Sequence, residues 1–301
     1  MSVAFADRLA ESLNTAGSAC CVGLDPVYER LPAGLRCGTT GGGPVSAIAR
    51  FCEGVLDAVA GTIPVIKPQS ACFERYGAEG VACLAHVCRC ARERGLIVVL
   101  DAKRGDIGIS AEHYAEMAFG SAACGADAVT VSAYLGADTI EPFLTDPARG
   151  VFALVRTSNP GSDSIQSARL GDGRTVAELV ADEIARLGAT RLGTGPGAGL
   201  SSVGVVVGAT KAADAAALRR RMPAQVFLIP GYGAQGGTAD DIRGMLRSGA
   251  RSPGTAGVLV SASRSVIYPG GAGAGDWRQA VGVAARAFAA EIGAVVSEAF
   301  T

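Results

Sequence analysis

The segment from Leu100 to Gly108, Leu-Asp-Ala-Lys-Arg-Gly-Asp-Ile-Gly, carries four charges within six residues, directly after an apolar run. Asp101 and Lys103 lie two positions apart, so on an extended backbone their side chains project from the same face. Burying these charges without partners would cost several kcal/mol, so they must pair or serve a binding site. A carboxylate beside an ammonium is typical of tuned acid–base or electrostatic chemistry. The alternative is a structural ion pair.

Three further charges end apolar runs elsewhere in the chain. Asp25 follows Cys-Val-Gly-Leu, Lys67 follows Ile-Pro-Val-Ile, and Arg264 follows Ser-Ala-Ser. Taken singly, Asp25 could be a turn or helix-cap residue, and Lys67 could extend its ammonium to water. Chance is a poor explanation for four such run ends in a chain that is only 18% charged. The pattern therefore predicts one shared site.

A glycine-rich segment, Pro-Gly-Tyr-Gly-Ala-Gln-Gly-Gly at 230–237, follows another apolar run. Glycines such as Gly233 let backbone N–H groups approach an anion closely. Arg264 offers a guanidinium that can donate two parallel hydrogen bonds to phosphate oxygens. Together they predict a phosphate-binding site.

The elements that must position these residues alternate regularly. Apolar runs of four to eight residues suit parallel strands buried on both faces, and amphipathic stretches between them suit helices. The predicted strands are Ala19–Leu24, Ile63–Lys67, Leu96–Leu100, Ala126–Ser132, Val151–Arg156, Val203–Gly208, Val226–Ile229 and Ala256–Ser261. The predicted helices are Val45–Ala60, Ala78–Arg94, Ser110–Cys124, Thr139–Asp146, Arg174–Leu187, Ala212–Arg221, Ala239–Ser248 and Trp277–Ala294.

Eight strands alternating with eight helices predict an α/β fold, a (β/α)8 TIM barrel spanning residues 1–301 as a single domain. A doubly wound sheet is the alternative, but it usually has fewer strands. An amphipathic helix precedes the first strand. We expect Gly38–Gly43, Gly193–Gly199 and Gly270–Gly275 to be loop insertions, and the sequence leaves their role open. In a barrel, the charged run ends would meet at the C-terminal face.

The composition argues against several classes of function. The formal net charge of the 301 residues is -1, which gives no basic field for nucleic acid. The chain has no purely apolar run of 18 residues, so we expect no membrane span. Nine cysteines scattered through apolar segments indicate reduced thiols and a cytoplasmic protein.

We predict neither a metal site nor a Ser-His-Asp hydrolase. Cys88 and Cys90 form a Cys-x-Cys pair on a predicted helix, but no second pair or nearby histidine completes a zinc ligand set. His86 and His113 lie in helical patterns and are interpreted as packed or surface residues. Neither stands at the end of a predicted strand, where a catalytic histidine would be expected.

Six motifs together resemble the orotidine 5′-phosphate decarboxylase family, in its longer bacterial type 2 branch. They are CVGLDP, VIKPQSACFERYG, LDAKRGDIG, VRTSNPGS, PGYGAQGG and VSASRSVIYP, and they span residues 21 to 269. The Asp-x-Lys-x-x-Asp pattern is shared with other phosphosugar enzymes, whereas the Thr-Ser-Asn-Pro-Gly and Pro-Gly-Tyr-Gly-Ala-Gln motifs are specific to this branch. At Ser110 the family usually has Thr, which keeps the hydroxyl.

The resemblance implies decarboxylation of orotidine 5′-monophosphate to UMP in pyrimidine biosynthesis, without a cofactor, by a homodimer with shared active sites. It implies catalytic roles for Lys67, Asp101, Lys103 and Asp106, with Asp106 and Ser110 reaching into the neighbouring subunit's site. It further implies that Lys103 protonates a C6 carbanion. The implied substrate-binding residues are Asp25 and Lys67 for the ribose, Ser158 for the pyrimidine, and Gly233, Gln235 and Arg264 for the phosphate.

Two alternatives remain. One is a metal-dependent phosphosugar decarboxylase or synthase of the same superfamily, which the branch-specific motifs disfavour. The other is a barrel that binds a phosphorylated metabolite without turnover. A full set of Lys67, Asp101, Lys103 and Asp106 disfavours this second alternative, because binding alone does not need it.

Overall fold

The computed structural model describes residues 2–36, 43–233, 236–270 and 276–300. Within them, eight parallel strands close into one barrel, each paired with its neighbours in chain order. The strands are β1 (Cys20–Leu24), β2 (Val65–Pro68), β3 (Ile97–Arg104), β4 (Ala128–Ser132), β5 (Gly150–Arg156), β6 (Val203–Val207), β7 (Phe227–Pro230) and β8 (Val258–Ala262). The α-helices are α1 (Phe5–Ala16), α2 (Ala33–Arg36), α3 (Pro44–Val59), α4 (Ala71–Glu74), α5 (Gly77–Glu93), α6 (Gly108–Phe119), α7 (Asp163–Gln166), α8 (Val176–Gly188), α9 (Ala212–Arg221), α10 (Ala239–Arg243), α11 (Arg264–Ile267) and α12 (Trp277–Ser297). Short 3-10 helices cover Tyr28–Arg30, Ala137–Thr139, Glu141–Leu144, Pro160–Ser162, Ala209–Lys211, Pro253–Thr255 and Glu298–Phe300.

The apolar periodicity explains this architecture. Every residue of β1, β6 and β8 is buried, as expected for barrel strands covered inside by side chains and outside by helices. Helix α3 buries Ile48, Phe51, Cys52, Val55 and Val59, which recur every three or four residues on one face. The prediction of a (β/α)8 barrel is confirmed.

The predicted helix Thr139–Asp146 is wrong. The connection from β4 to β5 contains two 3-10 helices, Ala137–Thr139 and Glu141–Leu144, instead of an α-helix. A helix beginning at Thr139 would place Pro142 fourth, where a backbone N–H is needed for the first full turn. The predicted helix Ala239–Ser248 is also shorter, ending at Arg243.

Helix α1 closes the N-terminal end of the barrel, where the Gly193–Gly199 segment lies just before β6. The carboxylate of Asp7, which is 5% exposed, accepts hydrogen bonds from the backbone N–H groups of Thr194 at 3.1 Å, and of Gly195 and Gly197 at 2.9 Å. A Cβ at Gly197 would lie 2.4 Å from the carbonyl oxygen of Ala6, so the turn requires glycine there. This insertion is therefore part of the barrel floor.

A buried arginine at the same end ties the last two strands together. Arg219 is 8% exposed, and its guanidinium lies 3.6 Å from the centre of the Phe227 ring. Its N–H groups donate at 2.7–3.0 Å to the backbone carbonyls of Met222, Gln225, Met245 and Gly257. Among the described residues, each nitrogen of this guanidinium has an acceptor.

The terminal segment Trp277–Phe300 is long and apolar enough, by length and composition alone, to cross a membrane. In this fold α12 packs along α3, and Val281, Ala285, Ile292 and Val296 are buried. Its apolar residues therefore cover the outside of the barrel.

Candidate active site

The C-terminal end of β3 departs from regular strand geometry at Lys103. This residue has φ +48°, the only positive φ outside glycine in the described chain. Thr130 on β4 holds it there, because its hydroxyl accepts from the backbone N–H groups of Ala102 at 3.0 Å and Lys103 at 2.9 Å and donates to Asp101 at 3.1 Å. A left-handed residue with a side chain costs about 1–3 kcal/mol and persists only where its surroundings fix it. The strain at Lys103 thus marks a candidate functional position.

Asp101 lies between two lysines. The Nζ of Lys67 donates to its Oδ2 at 2.7 Å, and the Nζ of Lys103 donates to its Oδ1. Gln69 donates to Oδ2 as well, at 3.2 Å. The structure thus brings Lys67, Asp101 and Lys103 together, but Asp101 and Lys103 converge through a left-handed turn rather than through the extended alternation expected from sequence.

The charges in this group fix each other's protonation. Burial alone would raise the pKa of Asp101, but the ammonium groups of Lys67 and Lys103 outweigh it and hold the pKa at about 2. Burial would lower the pKa of Lys67, but Asp101 and then Asp25 outweigh it and raise the pKa. At neutral pH the carboxylate of Asp101 is therefore charged, and so is the ammonium of Lys67.

These residues line a cavity of about 580 Å³ at the C-terminal end of the barrel. Lys103 is half exposed and Lys67 is buried, so the ammonium of Lys103 is the more accessible to a ligand. Lys67, Asp101, Lys103, Thr130, Ser158 and Asn159 give the wall its polar groups, whereas Leu154, Val206 and Leu228 give it an apolar part. The cavity has the size and the mixed polarity of a small-molecule site.

A buried arginine shapes the cavity wall after β5. Arg156 is 3% exposed and donates to Asp214 at 2.7 Å, Asp163 at 2.5 Å and Gln166 at 3.3 Å. Gln166 in turn accepts from the backbone N–H of Thr157 at 2.9 Å and donates to its hydroxyl at 2.9 Å. This network fixes the backbone next to Ser158, which lines the cavity.

Asp25 lies just after β1 and close enough to Lys67 to act on its ammonium. Its Oδ1 is buried and has no hydrogen-bond partner among the described residues. A buried carboxylate oxygen is normally satisfied, so an unsatisfied one calls for an explanation. A ligand hydroxyl would supply the missing donor.

The segment after β7 turns through glycines with positive φ, namely 91° at Gly231, 67° at Gly233 and 90° at Gly236. Tyr232 anchors it, because its buried side chain donates to Glu291 of α12 at 2.6 Å. Arg264 begins α11 after β8 and is exposed. Gln235, the other predicted phosphate ligand, lies outside the described residues.

Asp106 and Ser110 are not brought into the cavity of their own chain. Asp106 is half-buried, and its carboxylate accepts from the backbone N–H of Ile107 at 2.8 Å. Ser110 lies in the first turn of α6 and is half-buried. Around them Ile107 and Ile109 are about two-thirds exposed, and Tyr134, after the neighbouring strand, is 83% exposed. Ile107 and Ile109 therefore expose apolar side chains beside Asp106 and Ser110 in the chain.

Sequence reasoning assigned no role to several residues that shape this site. Thr130 and Gln69 contact Asp101, and Gln166 contacts the loop after β5. The register of the strands and the closure of the loop bring these residues there. Gln69 and Arg156 stand within quoted motifs, so their position beside predicted site residues was an available signal. Nothing in the local sequence distinguishes Thr130 from other strand threonines.

The profile of the orotidine 5′-phosphate decarboxylase / HUMPS family matches residues 19–268. The orotidine 5′-phosphate decarboxylase of Rhodopirellula baltica is 41% identical over 275 residues, covering 88% of each chain. That of Bordetella avium is 41% identical over 298 residues, covering 97% of this chain and 99% of the relative.

Solved structures of proteins from the same family also resemble this chain. The putative orotidine 5′-phosphate decarboxylase of Streptomyces avermitilis superposes with a TM-score of 0.79 at 36% identity, covering 98% of this chain and 97% of that one. The orotidine monophosphate decarboxylase of Leishmania donovani gives 0.76 at 33% identity, with coverage of 98% and 99%. The chain belongs to the orotidine 5′-phosphate decarboxylase family.

Proposed function

We propose that this chain decarboxylates orotidine 5′-monophosphate to UMP and CO₂ in pyrimidine biosynthesis, as a carboxy-lyase. The observation that carries the proposal is the Lys67–Asp101–Lys103 group at the cavity wall, in which a strained backbone presents the Lys103 ammonium. The relatives named as this decarboxylase support the same reaction.

The proposed chemistry needs a stabilised negative charge at C6 and a proton donor. When the C6–carboxylate bond breaks, CO₂ leaves and the electron pair stays on C6. The ammonium of Lys103 stabilises that charge and then donates its proton to C6, and solvent reprotonates the amine. Asp101, charged because its pKa is about 2, orients Lys103 and repels the departing carboxylate.

The rest of the nucleotide fits the remaining polar groups. Asp25 has an unsatisfied buried oxygen beside Lys67, which suits the ribose hydroxyls. Ser158 lines the cavity where the pyrimidine edge would lie. The phosphate would take Arg264, Gln235 and the backbone at Gly233. Phosphate binding is remote from C6, so it can drive closure and water exclusion.

Turnover in the presence of a chelator tests this function. Purified protein stripped with EDTA is expected to convert orotidine 5′-monophosphate to UMP at its full rate. Complete dependence on added Mg²⁺ would instead favour the metal-dependent phosphosugar enzyme. Tight binding of a UMP analogue without any turnover would favour the non-catalytic barrel.

The proposal includes a cytoplasmic homodimer in which Asp106 and Ser110 act in the neighbouring site. Its support is that the exposed apolar side chains of Ile107 and Ile109 flank Asp106 and Ser110, two polar residues that do not line their own chain's cavity. For the cytoplasm, the support is that all eight described cysteines are free thiols.

Mixing two inactive variants tests the shared site. In a mixed dimer of Lys103→Ala and Asp106→Ala chains, one site carries both changes and the other carries neither. Equal mixing with random pairing is therefore expected to restore about a quarter of the wild-type activity. No recovery in mixed dimers confirmed by mass would refute the shared site.

A further inference from the structure

A histidine, a cysteine and a glutamate meet on the outside of the barrel, away from the cavity. His86 and Cys90 lie one turn apart on α5, and Glu53 faces them from α3. From sequence we predict no zinc ligand set around Cys88 and Cys90; in the structure the Sγ of Cys90 lies 3.5 Å from the Nε2 of His86. The three ligand atoms lie within 4.8 Å of one another.

We propose that Glu53, His86 and Cys90 bind a divalent transition-metal ion of the zinc class. Zinc bond lengths of about 2.0–2.3 Å place tetrahedral N and S ligands about 3.6 Å apart, close to the observed 3.5 Å. The Sγ of Cys90 also lies 3.9 Å from Nδ1, beside the ring, so the side chains of Cys90 and His86 would have to rotate to bring Sγ in front of Nε2. The Oε1 of Glu53 is 2.5 Å from Nε2, against about 3.3 Å in such a site. Glu53 would have to retreat by less than ~1 Å, and its side chain is 37% exposed.

Binding must also satisfy the protons and nearby charges. The buried thiol of Cys90, whose pKa burial raises, would release its proton to solvent. The Nε2 of His86 would give up its hydrogen bond to Glu53 and bind the ion, and the single proton of the neutral imidazole would move from Nε2 to Nδ1 through solvent. The exposed Arg89, now 3.1 Å from Nδ1, would turn away. The guanidinium of Arg94, a second nearby cation, already donates to Asp57 and to the carbonyl oxygen of Cys90.

The charge balance favours a divalent ion. A carboxylate from Glu53 and a thiolate from Cys90 neutralise two positive charges, and a neutral imidazole adds none. The exposed fractions of His86 and Glu53 leave room for a water as the fourth ligand. The ion would cross-link α3 to α5 and stabilise the folded state, because the unfolded chain does not hold the three ligands together.

Cobalt(II) titration of the EDTA-stripped, desalted full chain tests this site. We expect one Co²⁺ per chain, with visible bands of tetrahedral cobalt and a thiolate-to-cobalt charge-transfer band in the near ultraviolet. Equimolar Zn²⁺ is expected to abolish both and to raise the melting temperature by a few degrees. Affinity is expected to rise with pH, because binding displaces the thiol proton.

Three variants decide the assignment. Cys90→Ser is expected to lose the charge-transfer band, and Glu53→Gln, at a half-exposed position that does not threaten folding, is expected to keep the band with at least ~10-fold weaker binding. Cys83→Ser is the matched control, a buried thiol of the same helix outside the cluster, and is expected to behave as wild type. Absence of the band in the wild type, its survival in Cys90→Ser, or unchanged affinity in Glu53→Gln would overturn the proposal.

Discussion

At the N-terminal end of the barrel, the buried Asp7 and Arg219 bind backbone groups of the same chain, and each described polar atom of these side chains has a partner. At the C-terminal end, Asp25 keeps a buried oxygen without a described partner, and Lys103 holds a strained backbone while its ammonium stays accessible. Both ends bury charge in the same barrel. At the N-terminal end the charged groups bind the backbone and stabilise the fold. At the C-terminal end they remain available to bind a ligand.

The largest expected effect is on activity, at Lys103. We expect Lys103→Ala to lower kcat by at least ~10³-fold, because it removes the proton donor and the charge beside C6. Initial rates of UMP formation measure this. The variant should still unfold cooperatively, because Lys67 continues to pair with the buried Asp101. A variant with near-normal kcat would contradict the role given to this lysine.

Lys103→Gly is the matched variant. It lacks the same amino group, so it is expected to be equally inactive. Glycine adopts φ +48° without strain, so we expect it to be more stable than Lys103→Ala by about 1 kcal/mol. A stability no higher than that of the alanine variant would mean that the backbone at this position stores no strain.

The second effect is on stability, at Arg219 at the N-terminal end of the barrel. We expect Arg219→Met to cost about 3–5 kcal/mol, because four buried backbone carbonyls lose their donors. Urea unfolding measures the loss. Well below the melting temperature, kcat should be unchanged. A loss of activity in the folded variant would show that the two ends are not separate in function.

The third effect concerns the pH dependence of stability, at Asp101. A carboxylate whose pKa falls from 3.8 to about 2 on folding stabilises the folded state by about 2 kcal/mol above pH 3.8. This contribution disappears as the pH falls from 3.8 towards 2. We therefore expect Asp101→Asn to be less stable than wild type at pH 7, with the difference narrowing over that acidic range. A constant difference would show that the lysines do not hold the pKa down.

Much of the fold could be predicted because its signals are local. The buried strands are short apolar runs, and α3 and α12 repeat their apolar residues at helical spacing. The helix predicted from Thr139 was wrong because apolar periodicity outweighed Pro142 in that interpretation. Giving more weight to Pro142, the fourth residue of that predicted helix, would have argued against a helix there.

The site was predictable in composition but less so in geometry. Asp101 and Lys103 were placed together by assuming an extended strand, whereas the contact depends on a left-handed residue held by Thr130 from another strand. The helical spacing of His86 and Cys90 is visible in the sequence. Glu53 joins them only through the packing of α3 on α5, which no local pattern encodes.

The floor formed by α1 also has a consequence for the order in which the chain is made. Asp7 leaves the ribosome before its partners Gly195 and Gly197, which follow 188 and 190 residues later. Asn14 accepts a hydrogen bond from the backbone N–H of Gly254, which is translated 240 residues later. Nascent α1 therefore has an apolar face and a carboxylate with no place to dock until most of the barrel has been translated. Chaperone demand during synthesis should concentrate on α1.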